Sequence, residues 1–447
     1  MAGSKFSFRT SKSAKIIPVI NMQAVILAAG KSGRLYPFNT FHKSLINVLG
    51  KPIISHTIAS VKKAGITDII LVSEPNNNFV EILGNGKKLG VKITYAFQKK
   101  PEGMGNALLS AAHLIKSDFF LLHPYRAEFA ELKEEIDKLR GTNKNAILLA
   151  QKEKNLSLYG ALILEGETVV GVVEKPKKGE VSSDLRIVGM CFLNQDFIKT
   201  LRSVRPHHYN FESALDVFAK NGRVKAAVTQ KETITLKYPW DLLGIKNYFF
   251  KKLKRHISKK AEISKQAKII GEVFIEDGVV ISENAIVKGP VYIGKNSFIG
   301  TNALVRHGVD IEKNAIIGGF SEVKNSLIQE ASSAHSGLIE DSIIGKNCKI
   351  GALFATANVR LDRANIKVQV KQEKIDTGLK HLGAMIGDNC IFASRVSIMP
   401  GVIVGNNVSI GPSTTVMKNI PSDSIFYTKF SEIVQKNKSS KTNKDLF

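Results

Sequence analysis

Cysteine is nearly absent: Cys191, Cys348 and Cys390 are the only three in 447 residues. They lie far apart, with no CxxC or metal-type histidine spacing, which excludes a disulfide framework and a structural zinc site. A reducing cytoplasm is the compartment this predicts. No apolar run approaches the ~20 residues that a membrane-spanning helix needs, so a membrane protein is not expected. Acidic residues are also short, 39 Asp+Glu against 64 Lys+Arg, a formal charge of +25. Such an excess is common in nucleic-acid binders, but the lysines are spread evenly and no stretch interleaves them with stacking aromatics. Nucleic acid is therefore an unlikely partner, and small polyanions such as nucleotides or sugar phosphates fit better.

What is present is enough hydrophobic sequence, 43%, to bury two or three cores at ~100–200 residues per domain. Residues 1–22 read as a basic flexible extension, carrying Lys5, Arg9, Lys12 and Lys15 and no acid; a targeting segment is the other reading. From 23 to 250 strand, loop and helix alternate: Ala24–Leu27, then a glycine loop; Ile53–Ala64 helical; Ile69–Val72 and Ile93–Phe97 extended; Gly105–Ile115 helical; Phe119–Leu122 extended. This spacing predicts βαβ units on a mainly parallel sheet, a Rossmann-like α/β domain that binds ligands at the carboxyl ends of its strands. Residues 251–262, rich in lysine, read as a linker, and 426–447 as a basic tail.

Between them, over 263–425, the period becomes six. Ile263, Ile269, Ile275, Ile281, Val287, Ile293, Ile299, Val305, Ile311, Ile317 and Val323 follow one another without a miss. Two further runs are Leu338, Ile344, Ile350 and Ile386, Phe392, Ile398, Val404, Ile410, Val416. One inward aliphatic per short face builds a triangular solenoid, and the pattern resembles the hexapeptide left-handed parallel β-helix. Glycine after the aliphatic, as at Gly294, Gly300 and Gly318, is expected to serve tight corners. The breaks at 324–337, containing His335, and 354–383, rich in Lys and Arg, are expected to be loops leaving the prism, where sites tend to sit.

The chemistry-bearing motif of the first half is the loop from Leu27 to Leu35, where small residues let backbone N–H groups close on phosphate. Arg34 and Lys43 follow within reach of the same anion. Over Leu27–Ile54, LAAGKSGRLYPFNTFHKSLINVLGKPII resembles the signature of the sugar-1-phosphate nucleotidylyltransferase family. Further matches are Gln98 with Gly103 and Gly105, Tyr159-Gly160, Glu174-Lys175-Pro176, Gly189 and Tyr238-Pro239-Trp240-Asp241. The resemblance implies that Gly30 and its neighbouring amides hold a nucleoside triphosphate with Arg34, and that Lys43 stabilises charge at the reacting phosphorus. Gln98 and Gly103 would face the base. Gly160, Glu174 and Lys175 would hold the sugar 1-phosphate.

The departures fall on the metal. The family carries an Mg2+-binding aspartate just after the strand matching Phe119–Leu122, where this chain has Tyr125, and its second ligand position falls at Thr235. Mg2+ is implied by the family, yet its ligands are not identified in the sequence. Glu128 and Asp241 are the nearest carboxylates, and Asp241 reads as a cap for the helix that follows. Ser32-Gly33 and His42 also depart from the signature.

In the second half, Ala334-His335-Ser336-Gly337 with Thr356-Ala357-Asn358 resembles the acyltransferase site of bifunctional N-acetylglucosamine-1-phosphate uridylyltransferases, the archaeal-type relatives above all. That implies His335 as general base, a role suited to histidine chemistry near neutral pH. Asn358 would contact the sugar, Lys367 or Lys380 its phosphate, and Ser394 with the amides near Gly411–Ser413 would bind acetyl-CoA. The family's tyrosine three residues after the histidine is Leu338 here. The likeness also implies a homotrimer. Three readings remain: a bifunctional enzyme joining an NTP to a sugar 1-phosphate and N-acetylating an amino-sugar 1-phosphate; an enzyme active only as acetyltransferase; and a regulatory or assembly subunit.

Overall fold

The computed structural model describes residues 22–30, 32–75, 78–141 and 145–435. The basic extension up to residue 21, Lys31 of the loop and the end of the expected tail, 436–447, lie outside the described residues.

The first domain is one nine-stranded sheet flanked by helices. Its strands are β1 (Gln23–Ala28), β2 (Asp68–Ser73), β3 (Lys92–Phe97), β4 (Phe119–Leu122), β5 (Ala146–Lys152), β6 (Gly160–Glu165), β7 (Thr168–Glu174), β8 (Leu185–Leu193) and β9 (Val224–Val228). Their spatial order is β3-β2-β1-β4-β8-β5-β9-β7-β6. The half around β1 is parallel, because α1 (Ile53–Lys63) supplies the return between β1 and β2. β8 runs antiparallel to both its long neighbours, so the sheet is mixed. The parallel strands are buried on both faces, β1 along its whole length, as two helical layers require. The parallel half places the loop after β1 and the turn after β4 at one carboxyl edge.

The last helix of the domain, Asp241–Phe250, leads after five residues into the first solenoid strand, His256–Ile257. Three parallel sheets of eight, nine and eight strands form the prism. Its axis is filled by the sixth-residue aliphatics: Ile275, Ile293, Ile299, Val305, Ile311 and Ile317 are all fully buried. At ~25 cal/mol per Å2 each such side chain contributes about 2–3 kcal/mol relative to an exposed one.

Two expectations about the prism are corrected. The glycines directly after the aliphatics do not make the corners. Asn284, Asn296, Asn302, Asn314, Asn347, Asn389 and Asn407 hold the left-handed positions, at φ of 56–59°, which asparagine tolerates because its amide bonds locally. Gly294, Gly300 and Gly318 are needed for stacking instead. A Cβ at these positions would lie 2.6, 2.5 and 2.0 Å from the next coil's backbone.

The break at 324–337 is not a loop. Val305 pairs with Val323 eighteen residues on, but Val323 pairs with Ile339 after only sixteen. Corners have shortened while Ile328 and Ala334 keep the inward places. Cys348 and Cys390, distant in sequence, come one coil apart in one inward column and are free, buried thiols.

Of the excursion expected at 354–383, Phe354–Thr356 is still a prism strand; the chain leaves the prism after it and folds back as a hairpin, Lys367–Val370 against Glu373–Asp376. Ile366, Val368 and Leu382 are buried in a cluster with Tyr238, Trp240 and Leu243 of the first domain. That cluster is the seam between domains. It also takes the outward side chains of one solenoid face, Leu327, Ile343, Met385 and Ile403. Polar contacts fix it: Asp310 accepts from Leu49 N–H at 2.8 Å, Glu312 from Gly50 N–H at 2.9 Å, and Gln329 donates to Asn47 O at 2.9 Å. The fully buried Lys246 ammonium donates to Gly308 O and to Asn325 Oδ1.

Candidate functional site

The loop after β1 opens a cavity of about 360 Å3 lined by Ala28, Gly30, Ser32, Gly33, Thr40, His42, Glu74 and Phe79. A Cβ on Gly30 or on Gly33 would meet nothing within 4 Å, and neither has positive φ. Neither packing nor backbone geometry therefore requires glycine here. The open space beside them leaves room for a ligand to approach the backbone closely.

Lys43 follows in a short 3-10 turn, with its N–H donating to Ser32 Oγ of the loop at 3.3 Å. Its ammonium donates to Leu236 O at 2.7 Å and lies 4.8 Å from the Tyr125 ring centroid. Burial, together with the nearby Arg34 and Arg126 and despite Asp241, lowers its pKa to about 8. Arg34 is exposed, 5.9 Å from the Tyr238 ring. Lys237 donates to Leu158 O at 2.6 Å and sits 3.1 Å from the Tyr159 ring centroid. Burial and then Arg34 and Arg186 lower Lys237 to about 7. Lys237 was not singled out by sequence reasoning, because nothing local distinguishes it from the chain's other lysines.

The metal expected from the family does not fit these residues. Tyr125 is 7% exposed and its ring stacks on His123. Its hydroxyl pKa is raised, burial being the main cause, so it stays a neutral phenol rather than a hard anionic ligand. Glu128 Oε1 is taken by Arg126 at 2.7 Å and by Ile234 N–H at 2.8 Å. Asp241 does not cap its helix forwards. It turns back to accept from the N–H groups of Lys237 and Tyr238, at 2.6 and 2.9 Å. Among the described residues no group of three or more His, Cys, Asp or Glu could hold a metal ion.

The remaining front-domain candidates are tied to the protein itself. Gln98 is buried, and its amide donates to Gly103 O at 3.1 Å and Asn106 Oδ1 at 2.9 Å. Gly103 is required by contact: at φ 98° its Cβ would lie 2.0 Å from His208 O. A Cβ on Gly160 would be 3.0 Å from Glu174 Oε2. Lys175 donates to Tyr209 Oη at 3.0 Å and approaches Glu174 at 3.5 Å. Nearby, Glu212 has its pKa raised to about 7, by burial first and by Glu174. Glu212 Oε2 and Asn210 Oδ1 are buried without a hydrogen-bond partner. Sequence reasoning missed both, since they sit at the start of an ordinary amphipathic helix, Asn210–Lys220.

On the solenoid, His335 is exposed at the corner between the second and third faces, its N–H donating to Ile350 O at 2.9 Å. Stacking carries the column on through Gly351 and Ala393 to Gly411, with the exposed Ser394 beside it and Ser413 N–H donating to Ser394 O at 2.9 Å. His335, Ser394 and Gly411–Ser413 thus share one corner. Asn358 does not. It lies at the other edge of the third face and donates to Asp341 Oδ2 at 2.6 Å. Residue 341 is six positions from His335, roughly 20 Å at ~3.3 Å per extended residue. A cavity of about 790 Å3 opens at that edge, lined by His307, Lys324, Asp341, Lys380 and His381 among others. Lys367 stands exposed on the hairpin opposite Asp376.

A Rossmann-like α/β domain with a glycine loop after its first strand, continued by a left-handed prism, defines the class, and comparison with known proteins agrees. Residues 23–258 match the nucleotidyl transferase family model, and 287–424 match the GMPPB C-terminal domain model. The chain is 38% identical over 421 residues to the bifunctional protein GlmU of Methanococcus maripaludis, covering 93% of this chain and 99% of that one. It is 31% identical to the bifunctional protein GlmU of Methanocaldococcus jannaschii, covering 93% and 100%. It is 32% identical to the bifunctional sugar-1-phosphate nucleotidylyltransferase/acetyltransferase of Sulfurisphaera tokodaii, covering 89% and 98%. The chain belongs to this two-domain family of archaeal GlmU-type nucleotidyl transferases.

Proposed function

We propose that the protein is a bifunctional enzyme of nucleotide-sugar synthesis. It acetylates an amino-sugar 1-phosphate at the rear prism and transfers a nucleotidyl group at the front cleft, with UDP-N-acetylglucosamine as the product class. The observation that supports this reading is the pair of glycines, Gly30 and Gly33, lining an open cavity in the loop to which the Lys43 backbone is bonded through Ser32. In the front reaction a sugar phosphate oxygen attacks the α-phosphorus and pyrophosphate leaves. The protein's share is to align two polyanions and offset their repulsion. In the rear reaction His335 takes a proton as the sugar nitrogen attacks the thioester carbonyl, the C–S bond breaks, and coenzyme A leaves as the thiol.

A homotrimer completes this reading. His335 and Asn358 stand at opposite edges of one face, so a site using both draws them from adjacent chains. The outward residues of the second face, Phe298, Ile316, Ile391 and Ile425, are 36–78% exposed, an apolar stripe suited to a second copy. Cytoplasmic residence is part of the same proposal; no described helix is long and apolar enough to cross a membrane. Replacement of the metal positions by Tyr125 and Thr235 favours one alternative, in which only the acetyltransferase works.

The test is to incubate the protein with UTP, Mg2+ and N-acetylglucosamine 1-phosphate, and separately with acetyl-CoA and glucosamine 1-phosphate. Pyrophosphate release abolished by Lys43→Ala, and thiol release abolished by His335→Ala, are expected. Thiol without pyrophosphate would leave the acetyltransferase-only reading. Absence of both would leave the regulatory one.

A further inference from the structure

The Lys43 ammonium lies between the two stations where the family carries its metal ligands. It is 4.8 Å from the ring centroid of Tyr125, at the first station, and 2.7 Å from the carbonyl of Leu236, next to Thr235 at the second. Both contacts are ones a cation seeks, a π face and a carbonyl oxygen. The surroundings add positive charge that is only partly offset, by Glu128 against Arg126 and Glu153 near Arg186. Arg34 and Arg126 act on Lys43, and Arg34 and Arg186 on Lys237. The acids that act on the two lysines are Asp241 and Glu174. Asp241 is spent on two backbone N–H groups, and Glu174 lies against Lys175. A divalent ion added here would meet like charge; a phosphate would meet its complement.

We infer that the front cleft takes the phosphates of its nucleotide without a divalent ion, the Lys43 ammonium, backed by Lys237 and Arg34, standing where the metal would be. The inference rests on the reading of the cleft as a nucleotide site and specifies its cation.

Calorimetric titration of the full chain with UTP tests it, once in Mg2+ and once in EDTA. The expected dissociation constants agree within about threefold, because the cations are supplied by the protein. Lys43→Met should weaken binding in EDTA by about tenfold or more, and Lys43→Arg should restore part of it. Thermal melts of both variants establish that they are folded; should Lys43→Met unfold, Lys237→Met takes its place with the same expectation. UTP heat that appears only with Mg2+ overturns the inference and leaves the nucleotidyl-transfer reading standing. Absence of heat in both conditions overturns both. Equal binding that survives loss of Lys43 overturns the assignment of the ammonium.

Discussion

Two lysines in the front cleft titrate near neutrality, Lys237 at about 7 and Lys43 at about 8, through burial and neighbouring cations. Both are depressed, so each carries its charge below its own value and loses it as pH rises. Phosphate affinity should therefore fall between about pH 6.5 and 9, by at most about tenfold per pH unit for each proton released. Lys237→Arg should flatten the lower part of that fall, and titration calorimetry at several pH values reads both. Glycine offers a second contrast at this scale. Gly33→Ala meets open space, so its unfolding free energy should stay within about 0.5 kcal/mol of the parent's, as for an ordinary surface change, while UTP binding weakens. Gly318→Ala places a Cβ 2.0 Å from the His335 carbonyl, and should lower thermal stability with no ligand present.

Among elements, the solenoid was the most legible, because one inward residue in six is a local rule that survives in the sequence. Its axis follows that rule closely enough for Ile299→Ala to cost about 2–5 kcal/mol, measured by denaturant unfolding, since the stacked column cannot collapse around the gap. The strands and helices of the first domain were legible for the same reason: Ile53–Ala64 was read as helix and is helix from Ile53 to Lys63. What escaped was set by contacts far apart in sequence. The bond from Lys43 to the Leu236 carbonyl spans 193 residues. The missing residues at the solenoid corners look like a loop until the pairing of Val323 with Ile339 is known. The role of glycine was misread because its clash is with the next coil, not with its own turn.

For the whole molecule, the seam decides how the two sites sit relative to each other. Lys246 supplies its carbonyl and amide partners from a fully buried position. Lys246→Met leaves Gly308 O and the Asn325 side chain without their donor, a loss of about 1–3 kcal/mol per buried group. The chain's one tryptophan, Trp240, is packed in the same cluster. Its emission should shift to the red at a lower denaturant concentration in the variant than in the parent. On the second face of the prism Ile316 and Ile391 are 45% and 51% exposed, and they should be what joins copies. Light scattering should give three times the chain mass, and Ile316→Glu with Ile391→Glu should give the single chain.

The measurement that bears on both sites at once is phosphorus NMR of one mixture: the protein with UTP, Mg2+, glucosamine 1-phosphate and acetyl-CoA. The triphosphate and monoester signals should give way to those of pyrophosphate and a sugar-linked diphosphate, and this diphosphate should carry an acetylated sugar by mass. A spectrum in which triphosphate and monoester persist, with the sugar still a free amine, would contradict a bifunctional enzyme.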